Sequence, residues 1–259
     1  MAARFGVTAE LLDLALRMAH QAGAALADRR GDAGKVTYKT TATDPVSEAD
    51  QASERLITTA LLAERPQDGI LGEEGADREG ASGLRWIVDP LDGTVNYLYG
   101  IPAWSISIAC ADDDGAVVGV VHQPLTGAVY SAVRGAGSFL DGVRLTVNDP
   151  VPLERALVAT GFSYDAGDRR RQAAVLASLL PQVRDVRRLG SAALDLCMVA
   201  GGMVDAYYED TTAIWDRAAG ALIAAEAGAA VRTYGDGIVA AGRALIDPLC
   251  GALHQARQT

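Results

Sequence analysis

The chain has 259 residues, is 49% hydrophobic and 22% charged, and carries a formal net charge of −10. That suits a globule with a substantial core and excludes fibrous and disordered classes. The excess of acid argues against a nucleic-acid or anionic-membrane surface, which needs a basic patch; it leaves a small phosphate substrate open, because a bound cation reverses the local field.

The N-terminus lacks a basic segment followed by an unbroken apolar run, and no 18-residue apolar stretch occurs anywhere, so a cytoplasmic, soluble protein is expected. From Thr8 to Arg30 apolar residues such as Leu11, Leu14, Ala15, Met18 and Ala22 recur at helical spacing, with Thr8 as cap and Gly31 as stop. His20 on that helix reads as a surface or boundary residue. Lys35 to Thr43 reads as a hairpin or loop. Ser47 and Asp50, three residues apart and ahead of Leu56 and Ile57, have the form of a capping box, and Pro66 ends the helix they open. A short strand at Gly69 to Gly72 runs into Glu73 and Glu74, which by themselves read as a solvated turn. Trp86, Ile87 and Val88 form a buried strand that ends at Asp89. Pro90, Leu91, Asp92 and Gly93 then make a tight turn with two carboxylates three residues apart, and Thr94 with Asn96 opens a short helix. Such a turn can hold a divalent cation in hard oxygens beside a phosphate on a helix N-terminus, although Asp-Pro and Asp-Gly also build ordinary turns.

Strands follow at Trp104 to Ala111, Ala116 to His122 and Ala128 to Val133, then a glycine-rich turn from Gly135 to Gly142. A second lobe begins near Pro150, dividing one compact unit into residues 1–150 and 151–259. It comprises a strand at Leu157 to Thr160, a helix over Arg169 to Leu180 whose Arg169, Arg170 and Arg171 form a solvated face, and a strand near Val183 to Arg187. Gly190, Ser191 and Ala192 open an apolar helix in which Asp195 is structural. A strand through Asp205 to Tyr208 precedes a helix from Ile214 to Ala227, stopped by Gly228, with Asp216 in its first turn, where a carboxylate suits the helix dipole. A strand and a closing helix complete the chain. The odd trio Cys110, Cys197 and Cys250 lacks metal-like spacing and reads as core thiols in a reducing compartment.

The run from Trp86 to Tyr97, W-I-V-D-P-L-D-G-T-V-N-Y, resembles the signature of the inositol monophosphatase family, Mg²⁺-dependent and lithium-sensitive phosphatases, and departs from it only at Tyr97, where Phe is usual. The segments D-P-V-S-E-A-D ending at Asp50, G-E-E at Gly72 to Glu74 and W-D-R-A-A-G from Trp215 are similar to three further motifs, so the resemblance covers nearly the whole chain. The pairing of G-S-A-A-L-D with D-A-Y-Y-E looks most like bacterial inositol monophosphatases. The resemblance implies an α/β (α+β) fold, a layered α-β-α-β-α sandwich of the inositol monophosphatase/fructose bisphosphatase type, and a homodimer. It implies hydrolysis of myo-inositol 1-phosphate by water attack; other members take histidinol phosphate, fructose 1,6-bisphosphate or adenosine 3′,5′-bisphosphate. A regulatory binding protein that has lost turnover is the rival outside enzymology.

By the same resemblance two or three Mg²⁺ ions serve each site. Glu73, Asp89 and the Leu91 carbonyl hold the first, and Asp89, Asp92 and Asp216 the second. Glu73 and Thr94 position the attacking water, with Asp50 orienting Thr94, and the Gly93 and Thr94 N–H groups grip the phosphate. Asp92, Gly190, Ser191, Ala192 and Glu209 meet the substrate. Lys39 falls on a mobile metal-site loop, and Glu74 reads as an exposed neighbour or as a residue that tunes the site.

Overall fold

The computed structural model describes residues 2–30, 32–39, 41 and 44–258, with side chains from Val7 onward. Helix α1 (Ala2–Asp28) is followed by a small hairpin of β1 (Val36–Tyr38) and β2 (Pro45–Ser47), then by α2 (Glu48–Glu64). Next come β3 (Gly69–Gly72), β4 (Asp77–Arg78), β5 (Arg85–Asp92), the short α3 (Thr94–Tyr99) and the strands β6 (Ser105–Asp112), β7 (Gly115–Gln123), β8 (Ala128–Val133), β9 (Gly137–Leu140) and β10 (Val143–Arg144). The later half alternates: β11 (Leu157–Thr160), α4 (Ala166–Leu179), β12 (Asp185–Arg187), α5 (Ala192–Ala200), β13 (Ala206–Glu209), α6 (Ile214–Glu226), β14 (Ala230–Tyr234), β15 (Gly237–Ala241) and α7 (Arg243–Ala256).

Besides the β1–β2 hairpin, two sheets carry these elements: an eight-stranded one in the order β10-β9-β8-β7-β6-β5-β3-β4, and a five-stranded one in the order β12-β11-β13-β15-β14. Helices α1 and α2 cover one face of the larger sheet, α5 and α6 fill the space between the sheets, and α4 with α7 covers the far face of the smaller one. The result is the α-β-α-β-α sandwich. Strand β5 shows why its sequence reads as continuous apolar: Trp86 and Val88 face the α1 and α2 side, while Ile87 faces α6, so both faces are buried. Trp86 satisfies its indole N–H on Asp68 Oδ2 at 3.0 Å, and Arg65 balances that carboxylate at 2.9 Å.

Several boundaries differ from the sequence reading. Strand β5 does not stop at Asp89 but runs to Asp92, with an irregularity in its pairing to β6 between those two residues. Proline is tolerated there because a bulge needs no ladder donor. The glycine-rich stretch from Gly135 contains β9, and the C-terminal region holds two paired strands, β14 and β15, before α7. Of the segment expected as a hairpin or loop, Val36–Tyr38 forms β1 and pairs with β2 beyond it, while residues 40, 42 and 43 lie outside the described ones. Cys110 and Cys197 are buried thiols and Cys250 is half-buried. The arginine cluster lies exposed on α4, where Arg171 pairs with Asp168. No helix among the described residues is long and apolar enough to cross a membrane.

Candidate active site

Parallel pairing of β3 with β5 matches Gly72 to Val88, so the residue after each, Glu73 and Asp89, emerges at the same sheet edge. The Glu73 N–H donates to the Val88 carbonyl at 3.1 Å and completes that register. The Asp89 Oδ1 accepts the Leu91 N–H at 3.1 Å, which closes the local turn, and Asp92 ends the strand. Asp216 arrives from the far side of the sheet on the first turn of α6, its Oδ2 accepting the Ala213 N–H at 2.7 Å. All four acids line one cleft of about 400 Å³, together with Lys39, Leu91, Gly93, Thr94, Gly190, Ser191, Ala192 and Glu209. Of the residues expected at the site only Asp50 does not line the cleft. It lies buried behind Thr94.

Asp50 does two jobs. It completes the capping box of α2, accepting the Ser47 N–H at 2.8 Å and the Ser47 hydroxyl, and its other oxygen lies 2.8 Å from Thr94 Oγ1. Thr94 Oγ1 also lies 3.1 Å from the Leu91 carbonyl, but the hydroxyl has one proton, and the carboxylate is the stronger acceptor. With that proton given to Asp50, the Thr94 oxygen turns its lone pairs toward the cleft. Gly93, the residue before α3, has φ +94°, and a Cβ there would stand 2.9 Å from the Ala103 carbonyl, so a side chain is excluded twice over.

Ser191 caps α5, and its hydroxyl donates to Asp92 Oδ2 at 2.6 Å; the Ala193 N–H donates to the same oxygen at 2.8 Å. Two groups at the N-terminus of α5 thus hold Asp92. Glu209, at the end of β13, is half-buried and accepts the Tyr207 hydroxyl at 2.8 Å. Gly161 makes room for it, since a Cβ at that position would lie 1.7 Å from Glu209 Oε2.

Burial, then the charges of Glu73, Asp92 and Asp216, raise the Asp89 carboxyl well above the usual range. Asp216 is raised well above it by burial and then by Glu73 and Asp92. Burial lifts Asp92 to about 7 although Ser191 and Ala193 pull it back. Buried oxygens that each disfavour the other's charge suit a hard divalent cation, which neutralises them at once. As they stand, the described side chains do not draw three or more acidic, His or Cys groups around one point. The Lys39 ammonium lies 2.7 Å from Glu73 and 2.8 Å from Glu74, so it already balances Glu73. The donor set, all carboxylate and carbonyl oxygen, has the chemistry of a site for a hard divalent cation.

The structure corrects one expectation here: Glu74 is not an exposed neighbour, because its side chain is 5% exposed and ion-paired to Lys39. Burial pushes its carboxyl up to about 7 against that ammonium. Asp195, read as structural, is buried at the cleft with one carboxylate oxygen unpartnered. Arg188 and Tyr164 also line the cleft, and no spacing in the sequence marks them.

A layered fold that collects four acids from three separated segments beside a backbone turn is of the kind that metal-assisted phosphate-ester enzymes use. A model of the inositol monophosphatase family matches residues 8–258. An inositol-1-monophosphatase of Mycobacterium leprae is 48% identical over 239 residues, 86% of this chain and 82% of its own length. A Nus factor SuhB of Pasteurella multocida is 39% identical over 232 residues, 88% of this chain and 86% of its own. The crystal structure of extragenic suppressor protein SuhB from Bartonella henselae matches with a TM-score of 0.89 at 36% identity, covering 94% of this chain and 98% of that one. The chain belongs to the inositol monophosphatase family, a family of phosphatases.

Proposed function

We propose that this chain is a Mg²⁺-dependent phosphomonoesterase that hydrolyses an inositol monophosphate, myo-inositol 1-phosphate, to inositol and phosphate. The observation that carries the reading is the Asp50–Thr94 hydrogen bond at 2.8 Å, standing in a cleft lined by Glu73, Asp89, Asp92 and Asp216. Glu73, Asp89, the Leu91 carbonyl, Asp92 and Asp216 would hold two or three Mg²⁺ ions, which supply charge neutralisation and make a bound water more acidic. The chain's own groups do the positioning. Thr94, its proton held by Asp50, accepts one hydrogen of the attacking water, and the Glu73 carboxylate accepts the other. The Gly93 and Thr94 N–H groups take phosphate oxygens. Glu209, held by Tyr207, accepts hydrogen bonds from adjacent ring hydroxyls, and the backbone of Gly190, Ser191 and Ala192 approaches the same hydroxyls. Residues 1–150 would supply most ion ligands, and 151–259 the last ligand and the hydroxyl contacts, within one catalytic unit. A cytoplasmic homodimer completes the reading.

The test is phosphate release by the pure protein with Mg²⁺ on four substrates: myo-inositol 1-phosphate, histidinol phosphate, fructose 1,6-bisphosphate and adenosine 3′,5′-bisphosphate. The expected result is the highest kcat/KM on the inositol ester. A preference of about tenfold or more (~1.4 kcal/mol) for another ester would reassign the substrate, and silence on all four would end the phosphatase reading.

A further inference from the structure

On α2 the residues Asp50, Ser53 and Glu54 stand at i, i+3 and i+4, so all three share one face, and all three are buried. Each reaches a different segment of the acid cleft. Asp50 takes the Thr94 hydroxyl, and Ser53 donates its hydroxyl to the Pro90 carbonyl at 3.0 Å. Glu54 spends both of its oxygens on the loop after β3: Oε2 accepts the Glu74 N–H at 2.8 Å, and Oε1 accepts the Ala76 N–H at 3.0 Å. The loop is pinched on its other side by the Gly72 N–H, which donates to the Ala76 carbonyl at 2.6 Å. Glu73 lies between these fixed points. A Cβ on Gly72 would stand 2.1 Å from Glu54 Oε2, so the absence of a side chain there is what lets the carboxylate close on the loop.

We propose that Glu54 is a positioning residue that sets the Glu73 carboxylate for its ion through the two loop amides. The proposal rests on the reading of Glu73 as an ion ligand. A carboxylate matches two converging N–H donors, whereas an amide matches only one and turns its own NH₂ against the other. Partners one step behind a metal ligand typically govern ion affinity by about 10- to 100-fold.

The experiment uses the full chain and two variants, Glu54→Gln and Gly72→Ala, which disturb the same contact from opposite sides. Mn²⁺ binding is followed by the EPR signal of the free ion, and backbone amide exchange by mass spectrometry. Both variants are expected to weaken Mn²⁺ binding by about tenfold or more. Exchange should speed up at residues 73–76 while α2 and β5 keep wild-type protection, an outcome that a general loss of stability would not give. If Glu54→Gln fails to fold, Gly72→Ala carries the test. Variants that bind Mn²⁺ within about threefold of wild type, or that leave exchange at residues 73–76 unchanged, would overturn the role of Glu54 alone. Wild-type protein that takes up no Mn²⁺ would overturn the ligand reading of Glu73, and this proposal with it.

Discussion

At the scale of single residues, the cleft separates acids that would hold ions from one that would hold substrate. Asp92 keeps its orientation through the Ser191 hydroxyl and the Ala193 N–H, and Asp216 through the Ala213 N–H. Asparagine at either position retains an oxygen acceptor for those donors, so the fold should survive while the charge is lost. Asp92→Asn and Asp216→Asn are each expected to lower kcat at least about a hundredfold, ~2.7 kcal/mol. Steady-state kinetics beside a circular dichroism melt check this, and a variant that keeps a tenth of wild-type kcat would remove that carboxylate from the ion site. Glu209 should behave differently. Its partner is Tyr207, and burial raises its carboxyl although the tyrosine hydroxyl pulls it down. Glu209→Gln should cost about 1.5–3 kcal/mol in kcat/KM on inositol phosphate, the size of a hydrogen bond to a charged group, and almost nothing on 4-nitrophenyl phosphate, which has no ring hydroxyls. Equal losses on both substrates would place Glu209 in the ion site or the fold.

At the scale of elements, α2 is the part to which the sequence pointed most clearly and from which it hid the most. The capping box at Ser47 and Asp50 was readable because both partners lie within one turn, and the structure keeps both of its hydrogen bonds. Ser53 and Glu54 find their partners only when the tertiary fold brings Pro90 and the loop after β3 against them; no local spacing encodes that approach. The end of β5 departs from the local sequence pattern for a related reason. Asp89 and Pro90 carry the local marks of a turn, and only pairing to β6 on one side and β3 on the other keeps the chain extended to Asp92. Arg188 and Tyr164 reach the cleft from loops whose sequence has no period to read. The double duty of Asp50 yields a test at this scale. Ser47→Ala removes the cap and should cost about 1 kcal/mol of stability, yet Asp50 retains the Ser47 N–H and Thr94, so kcat should change by less than about threefold. Thr94→Val keeps the cap and should lose far more activity than stability. Urea melts and kcat on both variants decide it, and equal activity losses would mean that Thr94 serves only to pack Asp50.

At the scale of the whole molecule, the acid cleft couples stability to protons and to cations. Asp89, Asp92 and Asp216 are all raised, first by burial and then by neighbouring charge, Asp92 to about 7 after offset by its donors, and burial lifts Glu74 to about 7 as well. An acid whose folded pKa lies above its unfolded value of about 4 binds more protons folded than unfolded between the two values, so stability falls as pH climbs through that interval. Exposed acids such as Asp165 and Asp185 are shifted downward by their hydrogen bonds and run the opposite way, but solvent weakens their share. In EDTA, therefore, Tm should fall as pH rises from about 5 to 8. Mg²⁺ binds the deprotonated oxygens, and at a hundred times its Kd it adds about 2.7 kcal/mol, a rise of very roughly 5–10 °C for a chain of this size. That rise should be largest at high pH, where no proton competes for the oxygens, and small near pH 5. Melts at matched ionic strength, with EDTA or Mg²⁺ at four pH values, measure both effects. A Tm that rises with pH in EDTA, or a Mg²⁺ increment that is the same at pH 5.5 and 8, would mean that these carboxylates are not confined together as the cleft implies.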